Sequence, residues 1–283
     1  MKYKLSKKII GISGYNSFLA LSFIKRYENK FIFKKYANDI NNHIKFDKWV
    51  KKNNNLNYFI NFAALIGSSS DKRNIYKLFE TNFHSVIMLA EIIHSNKLKN
   101  FKYFLTLSTS HVFKKSNFKL TEKSIKQPDS NYGKSKLKME KQILINSKKY
   151  FFKIGIARIF NYYNLNNKHN FINDVLKKIK DNDKKIEFNN VDTYRDFVHL
   201  EDILDALSHM INLELKNDYN ICSGKKVHLK KMILYLNNKL KNKKIVFKGA
   251  KTRSLIGSNI KLKKSGWKSK KVFDYNQPLQ NLF

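Results

Sequence analysis

Apolar residues fall along this chain in short runs that alternate with amphipathic stretches, the pattern of strands alternating with helices. Residues 8–12 are a β-branched run ending in glycine and predict a buried strand. Residues 18–27 place apolar side chains on one helical face, and 31–33 predict a second strand. Residues 34–49 show no clear period; a short or degenerate third strand is the expectation there. Residues 58–64 predict a strand, 75–95 a long helix, 101–107 a strand, 132–145 a helix and 153–159 a strand. This alternation argues for an α/β fold with a doubly wound parallel sheet.

Beyond Asn161 the regularity falls away. A helix over 171–179, a strand pair around 186–198, a helix over 201–211, a strand at 219–222 and a helix over 227–240 are expected, followed by a polar tail with Trp267. No internal repeat and no Pro/Ser-rich linker separates the halves, so the second lobe is expected to interleave with the first.

With 283 residues, the chain suits one two-lobed protein or two small domains, and 42% hydrophobic residues are enough for a large core. The net charge of +36 first suggests nucleic acid. Yet Lys and Arg are spread over the whole length, with no basic tail or dense block. The chain is rich in Lys, Asn, Ile, Phe and Tyr, with nine Gly, two Pro and five Arg, the signature of AT-rich coding. Nucleic-acid binding through charge alone stays an alternative, not the leading reading. The bias also marks the GC-coded residues Gly11, Gly14, Arg158 and Arg195 as places where chemistry required them.

The single cysteine, Cys222, excludes an internal disulfide and a multi-Cys metal site, and the eight His show no metal spacing, so no metal is expected. Gly11, Gly14, Asn16 and Ser17 interrupt any signal-like core near the N-terminus. No apolar run approaches the ~20 residues that span a bilayer. A soluble cytoplasmic protein is the expectation.

Three segments carry candidate chemistry. Gly11 and Gly14, spaced G-x-x-G between a strand and a helix, permit a tight turn and let backbone N–H groups approach a pyrophosphate. Ser17 stands where a third glycine would complete the motif. Ser108, Thr109 and Ser110 follow the strand at 101–107, and ligands bind at the carboxyl ends of parallel strands. Tyr132 and Lys136 lie four apart on one helix face, where an ammonium favours the phenolate of a general acid/base. The same Tyr-x-x-x-Lys spacing recurs by chance at Tyr3 and Tyr235, so the order and setting of all three segments carry the signal. Lys34 and Lys35 follow the second strand, where a 2′-phosphate would sit, and no acid ends that strand; Asp39 is a possible adenine contact. His111 reads as a loop histidine and Cys222 as core.

Taken together, these residues resemble the extended short-chain dehydrogenase/reductases, the NAD(P)-dependent nucleotide-sugar epimerases, dehydratases and 4-keto reductases. The resemblance runs over nearly the whole chain. It includes the Gly11/Gly14 loop, Asn61 to Ala64, Thr81 with Asn82, and the run from Leu107 to Phe113. It continues through Tyr132-Gly-Lys-Ser-Lys136, Arg158-Ile-Phe-Asn161, Tyr194-Arg-Asp-Phe-Val-His199 with Asp202, and Tyr219 to Gly224, where Cys222 replaces a glycine. The resemblance implies a Rossmann domain over 1–160, with a strand at 217–224 returning to it, and a substrate lobe mainly over 161–283. It implies NAD or NADP held by Gly11, Ser13, Gly14, Tyr15, Asn16, Lys34, Lys35, Asp39, Ala63, Ala64, Asn82, Tyr132 and Lys136. Tyr132 would be the acid/base, Lys136 would lower its pKa and bind the nicotinamide ribose, and Thr109 would bind the reacting oxygen. Ser110, Asn161 and Arg195 would hold a nucleotide-diphosphate sugar, with Arg195 on the diphosphate. A homodimer through helices 75–95 and 132–145 is implied as well.

Within that family, dehydratases usually follow the threonine with Asp-Glu. Ser110 and His111 stand here instead. A 4-keto reductase and a C4 epimerase remain, with hydride transfer at sugar C4, and a non-catalytic dinucleotide sensor is the alternative of another class.

Overall fold

The computed structural model describes residues 7–67, 71–164, 170–181, 185–240, 243–250, 252, 254–271 and 273–274; Tyr3 lies outside them. The chain divides into two compact units. The first comprises Met1–Val112, Lys126–Arg158 and Leu207–Tyr219; the second Phe113–Ile125, Ile159–Ala206 and Asn220–Phe283.

A six-stranded sheet has the order β10-β5-β4-β3-β1-β2. Its strands are β1 (Lys8–Ser13), β2 (Phe31–Lys35), β3 (Tyr58–Asn61), β4 (Tyr103–Thr109), β5 (Lys153–Ile159) and β10 (Asn217–Ile221). The β2–β1–β3–β4 ladder is parallel. Helices α1 (Phe18–Tyr27) and α5 (Asn131–Asn146) match the periodicity of the sequence.

Residues 34–49 differ from expectation. No strand forms between β2 and β3, and helix α2 (His43–Lys52) takes that place. Its buried Phe46 and Val50, four apart, face the sheet, and Trp49 stacks on Phe46 at 5.7 Å. Phe46 meets Phe59 of β3 edge-on at 5.4 Å, and Phe59 stacks on Phe104 of β4. A helical face this aromatic buries more than an outer strand of Lys and Asn would. The first half of the sheet therefore stops at β2, its edge.

Gly11 lies inside β1, and a Cβ there would sit 2.6 Å from the Phe59 ring and 2.9 Å from Trp49. The Phe59 ring of β3, backed by Trp49 of α2, is thus what demands glycine at this position. The long helix expected over 75–95 is broken into α3 (Lys72–Phe79), a π-helical turn (Glu80–His84) and α4 (Ser85–Ser95). The β3 strand ends early because Asn61 Oδ1 accepts from Ala63 N at 3.2 Å and turns the chain.

The second unit has its own core, in which Ile172, Val175, Ile179, Phe188, Met232 and Leu236 pack together. The strands expected to pair with each other near 186–198 pair elsewhere. β7 (Lys185–Asn189) joins β12 (Lys244–Lys248), β8 (Tyr194–Arg195) joins β11 (Val227–His228), and β9 (Phe197–His199) joins β6 (Asn161–Tyr163). Helices α6 (Phe171–Lys180), α7 (Leu200–Leu213), α8 (Leu229–Leu240) and α9 (Ile260–Lys264) complete the order, with Trp267 buried in what reads as a polar tail. Among the described residues no helix is long and apolar enough to cross a membrane.

Candidate active site

The first turn is built by Gly14. Its φ of +63° is left-handed, and a Cβ there would lie 2.5 Å from Ala63 N. Only glycine lets this turn press against the chain leaving β3. Ser13 Oγ donates to Asn61 Oδ1 at 2.6 Å, and Asn61 Nδ2 reaches Thr106 Oγ1 at 3.4 Å. This buried ladder ties the carboxyl ends of β1, β3 and β4 together. Ser17, in place of a third glycine, caps α1 through Ala20 N, and the first turn of α1 carries no acid. Unopposed N–H groups at that helix start suit a pyrophosphate. Tyr15 is half-buried and Asn16 exposed at the same turn. Gly14→Ala is expected to cost about 1–3 kcal/mol from the forced backbone alone, measured by urea unfolding, and to weaken dinucleotide binding; unchanged values of both would remove Gly14 from the turn's function.

Lys34 and Lys35 end β2 and are exposed, as is Asp39. Asp39 accepts from Asn41 N at 3.0 Å and so closes a turn. Ala63 is half-buried and Ala64 exposed after β3. Asn82 is fully buried in the π-helical turn. Its Oδ1 accepts from Leu65 N and its Nδ2 donates to Leu65 O, both at 2.8 Å, and Nδ2 also reaches Ser135 Oγ at 3.2 Å. Asn82 therefore positions the segment after β3 and ties it to α5.

Thr109 ends β4, and Tyr132 lies in the first turn of α5, where Ser130 caps through Gly133 N. Thr109 lies near the Tyr132 phenol and accepts from His111 N at 3.3 Å. Burial pushes that phenol up to about 12, offset in part by Thr109. Lys136 is fully buried and donates to Leu107 O at 3.0 Å. Burial pulls its ammonium down to about 8, against the favourable charge of Glu140. The Lys136 amine is turned to Leu107 O, and burial is the larger influence on the Tyr132 phenol. Ser110 is buried in a short 3₁₀ turn, and His111 is exposed with its ring 6.2 Å from Tyr132, edge-on. In the free enzyme Lys136 is charged below pH 8 and neutral above it. We expect kcat/KM to fall about tenfold per pH unit above pH ~8; a flat profile through that range would contradict a role for the charged amine.

Sequence reasoning missed what anchors α5. Glu140, one turn beyond Lys136, forms a bidentate pair with Arg158 at 2.7 Å for both contacts. Arg158 also reaches Asp218 at 2.5 Å, and Ser108 Oγ donates to Glu140 at 2.6 Å. Arg158 was legible as a persisting arginine; its partner Glu140 carried no signal beyond being an acid four residues after Lys136.

In the second unit, Arg195 is half-buried, with Nη1 donating to Thr193 Oγ1 and Tyr194 O, both at 2.9 Å. No described carboxylate pairs with it, and burial alone lowers its pKa. Asn161 Nδ2 donates to Asp196 O at 3.3 Å. Asp196 itself is buried and accepts from Ser223 N and Oγ, Gly224 N and Gly257 N. Asp202 accepts from Ser269 Oγ, Lys270 N and Lys271 N. The two acids of this motif hold backbone in place. Cys222 is core, and Gly257 leaves room for its sulfur. Among the described residues no group of metal-ligating side chains forms.

The model of the NAD dependent epimerase/dehydratase family matches residues 20–222. The chain is similar to dTDP-4-dehydro-6-deoxyglucose reductase of Escherichia coli, 26% identical over 231 residues, covering 78% of this chain and 72% of that one. It is 31% identical over 123 residues to GDP-6-deoxy-D-talose 4-dehydrogenase of Aggregatibacter actinomycetemcomitans, covering 42% of this chain and 41% of that one. In fold it is similar to RMD from Pseudomonas aeruginosa complexed with NADPH, with a TM-score of 0.81 and 19% identity over 98% and 97% of the two chains. The glycine turn, the strand-end hydroxyls and the Tyr–Lys helix fall within or beside the matched span, and this chain belongs to the NAD dependent epimerase/dehydratase family.

Proposed function

We propose that the protein reduces the 4-keto group of a nucleotide-diphosphate sugar with NAD(P)H. The observation that carries this reading is the placement of Thr109 at the end of β4 beside Tyr132 in the first turn of α5, near enough to lower the pKa of its phenol. A bound dinucleotide supplies the hydride. Thr109 holds the keto oxygen, and Tyr132 gives its proton to that oxygen as it becomes a hydroxyl. The protonated phenol is the form that a carbonyl reduction consumes. Lys136 supplies the positive charge that favours the phenolate left behind, and binds the dinucleotide ribose. Gly14, Ala63, Ala64 and the α1 N-terminus hold the pyrophosphate. Arg195 and Asn161, both of the second unit, hold the nucleotide diphosphate. Both curated relatives are named for redox chemistry at position 4 of a nucleotide-linked 6-deoxy sugar, which supports a reductase over an epimerase.

The test is NAD(P)H absorbance during incubation with 4-keto-6-deoxy nucleotide sugars. Stoichiometric consumption is expected. Interconversion of 4-hydroxy sugars with no net consumption would make the protein an epimerase instead. Arg195→Ala is expected to weaken nucleotide-sugar binding about 10- to 100-fold, since a charged hydrogen-bond donor is lost, with dinucleotide affinity unchanged. Equal losses in titration calorimetry would contradict the diphosphate role. The proposal includes a cytoplasmic homodimer, supported by exposed Tyr76 on α3, Met88 on α4 and Ile145 on α5; light scattering on the purified protein tests the dimer.

A further inference from the structure

A cavity of about 550 Å³ lies on the second unit, walled by a single loop over residues 114–125. That volume suits a ligand of nucleotide size. Lys114, Lys115, Lys119 and Lys123 line it together with Phe118 and Ile125, and no carboxylate does. Neither Arg195 nor Asn161, the residues assigned to the sugar nucleotide, is part of its wall.

The loop is fixed in shape. Lys114 N donates to Ile125 O at 2.9 Å and closes its neck. Ser116 N donates to Ser254 O, Leu120 N donates to Ile256 O, and the Leu120 side chain is buried, so the middle of the loop is pinned. Thr121 N donates to Ser124 Oγ at 2.9 Å and Ser124 N to Thr121 O, forming a tight turn. The one acid of the loop, Glu122, accepts from Asn220 N at 2.9 Å. Among the described residues no carboxylate pairs with the ammonium groups of Lys114, Lys119 or Lys123. Phe118 is 82% exposed and Ile125 68%. This constrained backbone holds two large apolar side chains in water beside four lysines, and exposed apolar surface of that kind marks a binding site.

We infer that this cavity binds a nucleoside polyphosphate, at a site lined by none of the residues assigned to the reaction. Lysines alone favour any polyanion, and apolar side chains alone favour lipid or protein. A ligand that uses both carries clustered negative charge beside a flat apolar face, which a phosphate chain and a base supply. The lysines meet the phosphates, and Phe118 stacks on the base, a contact that every base allows. A concave wall of this volume encloses one nucleotide; a bilayer surface is flat and a duplex is too wide. The loop is already ordered, so binding costs little in rearrangement.

The test uses the full chain carrying Phe118→Trp, whose indole emission reports occupancy of this cavity and of no other site. ATP and UTP are each expected to quench it. Tripolyphosphate, which has the phosphates and no base, is expected to compete only at about 10- to 100-fold higher concentration. Adding Lys119→Glu and Lys123→Glu is expected to weaken ATP about tenfold or more, with an affinity that falls as salt rises. Lys99→Glu, at an exposed lysine of the first unit, is expected to leave it unchanged. Equal competition by tripolyphosphate overturns the nucleotide assignment. Equal weakening by Lys99→Glu reduces the effect to overall charge and overturns the site. Absence of any response to ATP overturns the inference; a blue shift with phosphatidylserine vesicles in that case makes the loop a membrane contact instead.

Discussion

Tyr132→Phe is expected to lower turnover about 10²- to 10⁴-fold, the range that a positioned proton donor contributes. The ring stays, half-buried and edge-on to His111, so the substitution removes one hydroxyl and little packing. Thr109 keeps its place at the end of β4. The proposed dinucleotide site draws mainly on the glycine turn, the chain after β3 and Lys136, which the substitution leaves in place. Dinucleotide affinity should therefore stay within about twofold, separating lost chemistry from lost binding. Steady-state kinetics beside calorimetry measures both. Unchanged turnover would remove the phenol from the mechanism.

Arg158→Met is expected to be the most destabilising single change. It leaves Glu140 buried without its bidentate partner, beside Ser108, and removes the ion pair to Asp218 of β10. Breaking one side of a buried pair costs about 3–5 kcal/mol because the remaining charge stays out of water. For a chain of this size that lowers the thermal midpoint by roughly 10 °C. Turnover should fall too, since Glu140 sits one helical turn from Lys136 and favours its charged form. The double variant Glu140→Leu with Arg158→Met removes both charges and should recover a substantial part of the loss. Strictly additive costs, by calorimetric unfolding, would show that the two residues do not act as a pair.

The sequence was readable where one physical rule governs a segment. Phe18–Tyr27 and Lys153–Ile159 match the observed bounds because apolar spacing, flanked by a cap or a turn, determines each. Residues 34–49 were not readable, because α2 depends on three aromatic or β-branched residues finding Phe59 across the sheet, a tertiary match that local pattern does not encode. The strand Lys244–Lys248 hides for the same reason: its partner β7 lies 59 residues earlier at Lys185. At the site, residue types that tolerate no substitute stood out, as with Gly14 and Tyr132. Residues whose role is relational did not. Glu140 is one acid among 21 Asp and Glu, and only the buried position of Arg158 gives it meaning. Gly11 shows the converse: it reads as a phosphate-turn glycine, while the core ring of Phe59 is what occupies its side-chain space.

In the proposed reaction, hydride arrives at a sugar carbonyl carbon while Tyr132 protonates the oxygen. The most direct measurement supplies NAD(P)H deuterated at its transferable position together with a 4-keto nucleotide sugar, and locates the label in the product by mass spectrometry and NMR. One deuterium per product is expected at C4 of the sugar with the wild-type protein, and about 10²- to 10⁴-fold slower labelling with Tyr132→Phe. Product formed without deuterium on the sugar, or label on another carbon, would contradict it.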